Sequence, residues 1–250
     1  MIQMNESEEV HLGYHFYRIF DINDEPLCDL PPLDDLEEIP IVSLENAVEP
    51  LRSWSPLIYN FAKYLKTKCP RPPPDGLTVD ESTSIMLYTT GWLPINECLY
   101  SGLNEALRSK DREKLKPWFL YLKLLFTALA RLPPVEGNIY RAVKLDLTER
   151  YSIGQRVTWS GFSSCTNIMN ILHSVVFSNL TKKRLLFNIK CKTARNITKH
   201  SSFQGDDEIL LLPGTQFKCQ NSFHRSDNFC VIELEEISIP SSLEKLFGGK

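Results

Sequence analysis

A change of texture at Leu132-Pro133-Pro134 constrains this chain more than any other feature of its sequence. Before it, apolar residues recur at three and four residues, the spacing that gives a helix one buried stripe. After Gly137 they come in short runs separated by turn residues, as strands do. Helices first and strands afterwards, without βα alternation, argue for an α+β fold. The expected architecture is an N-terminal helical subdomain packed on a mixed, mostly antiparallel β-sandwich. Residues 1–40 are read as a regulatory or flexible leader, 41–134 as the helical subdomain and 135–250 as the sandwich, together forming one compact domain.

Within the front half, Thr78-Val79-Asp80-Glu81 has the form of a capping box, and Gly91 is placed to end the helix that follows. Leu99, Leu103, Ala106 and Leu107 form a second apolar stripe. The run from Pro117 to Leu132 opens with a proline tolerated in a first turn and carries Trp118, Phe119, Leu122, Leu125, Phe126 and Leu129, which predicts the central buried helix. A weaker helical stretch spans Ser43 to Lys68. Pro70-Arg71-Pro72-Pro73-Pro74 reads as a stiff connection, with a ligand-like proline segment as the alternative. The back half predicts strands over Ile139–Val143, Arg156–Trp159, Phe162–Thr166, Arg184–Cys191, Glu208–Leu212, Thr215–Cys219 and Phe229–Ile239. A short helix is expected between Asn167 and Asn179.

With 42% hydrophobic and 24% charged residues and a net charge of −3, the composition is that of a globular protein and not of a disordered one. No strongly basic face or run suggests nucleic acid, and the short cluster Thr181-Lys182-Lys183-Arg184 reads as a solvated loop. The start lacks a signal-peptide pattern, and no apolar stretch approaches the roughly 20 residues of a membrane span. Seven cysteines without a C-x-x-C pair fit neither a zinc site nor a disulfide framework. A cytoplasmic setting, with no membrane or nucleic-acid partner, is therefore expected, and the sequons at Asn5, Asn179 and Asn196 carry little weight.

Dinucleotide-fold and P-loop glycine motifs, H-E-x-x-H and G-x-S-x-G are all absent, and the five histidines show no ligand spacing. No metal site is expected. Three polar insertions into apolar strand patterns remain. Arg141, in Ile139-Tyr140-Arg141-Ala142-Val143, is either an exposed strand residue, one half of a structural ion pair, or a buried cation that needs an anion. Phe162-Ser163-Ser164-Cys165-Thr166 is either a polar strand edge or a set of hydroxyls facing a site. Gln204-Gly205-Asp206-Asp207-Glu208 is either an ordinary acidic turn or a device that places Glu208 at the entry of the buried strand Ile209-Leu210-Leu211-Leu212.

In their order and flanks these segments resemble the Arg-Ser-Glu branch of the mono-ADP-ribosyltransferases, the cholera-toxin-like and ecto-enzyme branch, over about Leu77 to Ile237. Tyr140-Arg141 matches the family's first-strand arginine, Phe162-Ser163-Ser164-Cys165-Thr166 its Ser-Thr-Ser strand with Ser164 first, and Asp206-Asp207-Glu208 its Glu-x-Glu loop. Leu77–Glu81, Ser84–Thr89 and Leu103–Arg108 look like the helical cap, and Leu211–Phe217 completes the match. Two positions depart from the pattern. Ala142 stands where the family has glycine, and Asp206 is one methylene shorter than the usual glutamate, which bears on acceptor choice more than on NAD cleavage.

The resemblance implies NAD as substrate, bound by residues 135–250, and transfer of ADP-ribose to a protein side chain, arginine favoured, with release of nicotinamide and no metal. It implies that Glu208 is the catalytic carboxylate, stabilising an oxocarbenium-like transition state akin to that of glycoside cleavage. Arg141 would bind the pyrophosphate and Ser164 would hold Glu208 and the ribose in register. Ala142 would contact nicotinamide through its backbone. Asp206 would orient the acceptor, whose protein identity the sequence leaves open, and Phe203 would flank it. An NAD glycohydrolase and a catalytically silent interaction module of the same fold are the alternatives.

Overall fold

A computed structural model describes Leu36 and residues 38–143, 147–168, 184–203, 207–226 and 229–247. The residue contacts divide the chain into two units. The described residues of 31–133, 197–205 and 240–250 form one, and those of 134–196 and 206–239 the other. The expected leader lies almost wholly outside the described residues, as does the helix expected between Asn167 and Asn179 beyond Ile168.

The first unit is helical: α1 Leu44–Val48, α2 Ile58–Lys68, α3 Val79–Thr89, α4 Leu99–Arg108, α5 Phe119–Arg131 and α6 Ser241–Phe247. The capping box forms as expected. Thr78 N–H donates to Glu81 Oε2 at 2.7 Å, and Glu81 N–H donates to Thr78 Oγ1 at 3.2 Å. The helix stops before Gly91, because Thr90 turns extended and its N–H returns to Met86 and Leu87 carbonyls. The stretch from Ser43 to Lys68 is two helices rather than one, with turns around Pro50 and Pro56 between them.

Helix α5 buries the expected stripe, but α3 is the helix buried on every side, from Glu81 to Thr89. Its small polar residues conceal this in the sequence. Ser84 Oγ donates to the Glu81 carbonyl at 2.7 Å and Thr89 Oγ1 to that of Met86 at 2.9 Å, so these hydroxyls are satisfied by their own helix. On α4, Gly102 lies against the Trp54 indole, where an added Cβ would come within 2.1 Å of the ring.

Among the described residues the second unit is a sheet of seven strands: β1 Pro134–Val143, β2 Arg156–Trp159, β3 Ser163–Cys165, β4 Arg184–Asn196, β5 Ile209–Leu211, β6 Thr215–Ser226 and β7 Phe229–Ser238. Their order is β2-β6-β7-β4-β5-β3, with β1 also on β4, and among the described pairs only β4–β7 is parallel. The α+β class and the mixed, mostly antiparallel sheet thus agree with the expectation. Trp159 of β2 and Phe187 of β4, three strands apart in that order, bring their rings to 5.1 Å. The sheet therefore curls over a shared core, which includes Ile139, Val157, Trp159, Phe187, Ile189, Ile209, Phe217 and Ile232.

Strand β4 is the pivot of this arrangement. β1 pairs along it from Leu185 to Arg195, while β7 pairs with its first half and β5 with its end through Arg195↔Leu210 and Asn196↔Ile209. Between the two, Glu236 of β7, 1% exposed, accepts the N–H groups of Lys192 and Thr193 and the Thr193 hydroxyl. A carboxylate thus takes over the donors that leave the β7 ladder. No helix among the described residues is long and apolar enough to cross a membrane.

Candidate active site

Three segments far apart in the chain meet in the sheet unit, and backbone pairing sets their register. Strand β1 meets the end of β3 in an antiparallel bridge: Tyr140 N–H donates to the Thr166 carbonyl at 2.7 Å, and Thr166 N–H returns to Tyr140 at 3.0 Å. The next residue on β1 is Arg141, whose Nη1 donates to the Ser164 carbonyl at 2.7 Å. Strand β3 pairs with β5 so that Ser164 lies opposite Leu210. Glu208, two residues before Leu210, has its side chain on the face that Ser164 uses. The outcome is a bond from Ser164 Oγ to Glu208 Oε1 at 2.9 Å.

All three residues are almost fully enclosed: Arg141 is 1% exposed, Ser164 2% and Glu208 0%. Of the readings left open by the sequence, an exposed strand arginine, a polar strand edge and a solvated acidic turn do not describe this geometry. Enclosing a guanidinium and a carboxylate costs several kcal/mol each unless opposite charge and hydrogen bonds offset it. The neighbouring Cys165 reports both charges. Burial pushes its thiol up to about 12, with Arg141 opposing the shift and Glu208 adding to it. A thiol held that firmly protonated is no nucleophile.

Ala142 lies opposite Leu186 in the β1–β4 register and packs with Leu186 and Val231, on the side of the strand away from Arg141. Among the described non-glycine residues only Asp75 has a positive φ, so the backbone at 142 suits an L-residue where the family pattern has glycine. Phe203 is partly exposed and belongs to the helical unit, its N–H donating to Ser201 Oγ at 3.1 Å. Asp206 lies outside the described residues. Among the described residues no three His, Cys, Asp or Glu side chains gather in a way that could hold a metal ion.

The donor set fits a dinucleotide such as NAD. A planar guanidinium suits a pyrophosphate, and a hydroxyl bonded to a carboxylate suits a ribose diol. The sequence reading missed Glu236, which takes the donors of Lys192 and Thr193 where β4 passes from β7 to β5. A signal existed: Cys230, Ile232 and Leu234 occupy the inward phase of the strand, and Glu236 is the next member of that series.

A family model described as NAD:arginine ADP-ribosyltransferase matches residues 47–242. The inferred NAD(+)–arginine ADP-ribosyltransferase Mav of Mycobacterium avium (strain 104) is 29% identical over 120 residues, which are 47% of this chain and 14% of that relative. The chain thus spans about one seventh of its length. Among solved structures, HopU1 of Pseudomonas syringae pv. tomato DC3000, an ADP-ribosyltransferase, superposes with a TM-score of 0.53 at 20% identity, covering 95% of this chain and 100% of that one. Vis, an ADP-ribosyltransferase from Vibrio splendidus solved with agmatine, gives a TM-score of 0.51 at 22% identity, covering 83% and 92%. At such identities the structural likeness speaks to the fold.

Proposed function

This chain belongs to the NAD:arginine ADP-ribosyltransferase family, and from that premise we propose that it transfers ADP-ribose from NAD to a protein side chain, releasing nicotinamide. The observation that carries the proposal is the continuous run of contacts from Arg141 through Ser164 to Glu208, three residues that the family pattern names and that backbone register brings together. When bound, NAD supplies an ADP-ribosyl group activated by a competent leaving group, nicotinamide. The residues at issue lie in 135–250, which we take as the NAD-binding core.

Arg141 binds the pyrophosphate, because its fork of N–H donors matches phosphate oxygens two at a time. Ser164 positions Glu208 by donating to one carboxylate oxygen, which leaves the orientation of the group fixed as the bond to nicotinamide weakens. Glu208 accepts a ribose hydroxyl and sets negative charge where positive charge develops. This interaction is stronger in the transition state than in the ground state, and it therefore accelerates the reaction rather than merely tightening binding. Enclosure strengthens it further, since little water screens the carboxylate.

Guanidinium side chains are the first acceptor class to test, and the Vis complex with agmatine, a small guanidinium compound, supplies a probe. On this proposal Phe203 and Asp206 face the acceptor. A reducing, cytoplasmic setting is part of the proposal, and it suits the six cysteines among the described residues, which are buried and form no disulfide there. The test is incubation of the purified chain with NAD labelled in the adenosine moiety, in the presence of agmatine and a protein mixture. Nicotinamide release with label on protein or agmatine is the expected result. Label found only as free ADP-ribose makes the chain a glycohydrolase, and absence of nicotinamide release contradicts both.

A further inference from the structure

We propose that the outward face of α2, together with Arg71 just beyond its end, is a docking surface for an acidic, extended segment of a partner protein. The inference goes beyond the transferase reading and does not depend on it, since every residue it uses belongs to the helical unit.

Between Glu49 and Asp75 the chain has five cations, Arg52, Lys63, Lys66, Lys68 and Arg71, and no anion, although the whole chain carries a net charge of −3. Two of the five are neutralised from outside that segment. Arg52 Nη1 meets Glu49 at 2.9 Å, and Lys66 Nζ meets Glu45 and Asp80, each at 2.8 Å. Lys63, Lys68 and Arg71 have no carboxylate partner among the described residues. The helix dipole accounts for the cations of the last turn, Lys66 and Lys68. It accounts neither for Lys63 and Arg71 nor for the missing anions.

Ile58, Ala62 and Leu65 form the buried stripe of α2, and at 3.6 residues per turn the exposed Leu57, Asn60, Lys63, Tyr64, Thr67 and Lys68 fall on the opposite side. Lys63 and Lys68 lie at the two margins of that side, with Asn60, Tyr64 and Thr67 between them. Each lysine rests on a ring: Lys63 Nζ is 5.6 Å from the Tyr59 centroid and Lys68 Nζ 5.3 Å from that of Tyr64. The rings limit the freedom of the lysines, so less is lost when a carboxylate arrives. Successive side chains of an extended peptide point to opposite sides. An acidic segment laid along α2 thus offers carboxylates to both margins, while Leu57, 46% exposed, and Tyr64, 55% exposed, meet its apolar atoms. Arg71, exposed between Pro70 and Pro72, extends the positive surface past the helix end. Two apolar side chains are too few to insert into a lipid interface, and three unpaired cations fall short of the roughly four to eight that draw a segment to anionic lipid. A long nucleic acid would meet the negative charge of the chain as a whole, whereas a short peptide feels only charges within about 10 Å.

The test is fluorescence anisotropy with the full chain and a dye-labelled peptide of repeating Glu-Glu-Leu. Lys63→Gln/Lys68→Gln is compared with wild type and with Lys110→Gln/Lys114→Gln, which removes the same charge from exposed positions elsewhere in the helical unit. Unfolding midpoints check that each variant folds. The wild type is expected to bind the peptide, and more weakly as salt rises. The α2 variant binds roughly tenfold more weakly, the scale of two exposed ion pairs, and the control stays within about twofold of wild type. No binding by the wild type at about 1 mM peptide, an equal loss in both variants, or tighter binding to phosphatidylserine vesicles or single-stranded DNA than to the peptide overturns the inference. Nicotinamide release is read separately and decides only the transferase reading.

Discussion

In the helical unit the buried carboxylate of Glu81 bonds Thr78, three residues away, and the Arg131 guanidinium at 2.8 Å. In the sheet unit Glu208 meets a hydroxyl 44 residues away in the chain, and Arg141 meets a carbonyl 23 residues away. The first carboxylate closes its own helix end and, through Arg131, 50 residues away, ties α3 to the end of α5, a packing task within the helices. The second depends on the registers of four strands. Buried charge in the helices is therefore structural, whereas buried charge in the sheet is placed by the whole fold and is available for chemistry only while the registers hold.

The largest effect on this contrast is expected from Glu236→Ala, which strands two backbone donors and a hydroxyl where β4 changes partners, at a cost of about 3 kcal/mol of stability. Denaturant unfolding measures it, and a loss below about 1 kcal/mol would mean that the registers do not depend on this carboxylate. Next comes Ser164→Ala. Removing the donor to Glu208 lowers the rate of nicotinamide release by about a hundredfold while stability changes by about 1 kcal/mol, and steady-state kinetics beside unfolding curves separates the two. Thr78→Ala is the converse case: a lost cap costs about 1 kcal/mol, with nicotinamide release unchanged, and a fall in turnover at constant fold would blur the division drawn here.

The smallest effect is a pH dependence. Burial holds the His200 pKa below its ordinary 6.5, against the pull of the Asp75 carboxylate and with Lys199 nearby. The unfolded chain then takes up a proton more readily than the folded one, so stability is fully present above pH 6.5 and declines as pH falls below it. Asp75, held low chiefly by its bond to Lys199, gives up its own contribution only in the acid range below 3.8. Unfolding midpoints measured from pH 7.5 to pH 5 should fall in the wild type and stay flatter in His200→Gln.

Range along the chain also decides what the sequence discloses. The capping box at Thr78 and Glu81, the stripe of α5 and the strand Arg156–Trp159 rest on neighbours within a few residues, and each is legible as it stands. Strand β6 runs on to Ser226, beyond the expected Cys219, because bulges after Gln216, Cys219 and His224 break the alternation that marks a strand. Strand β4 runs past Cys191 to Asn196 for a related reason, the change of partner under Glu236. Arg141, Ser164 and Glu208 could be named through the order of their motifs. Their enclosure could not, since it follows from the Tyr140–Thr166 bridge and the Ser164↔Leu210 register. The burial of His200 between Ser82 and Asp75 was likewise invisible, with partners 118 and 125 residues away.

The most direct test of the account is Glu208→Gln, which preserves size and hydrogen bonding but removes the charge. With NAD binding followed by calorimetry and nicotinamide release by product analysis, the affinity should stay within about 2 kcal/mol while release falls by roughly a thousandfold. Release at the wild-type rate from a variant that still binds NAD would contradict the assignment of Glu208 as the catalytic carboxylate.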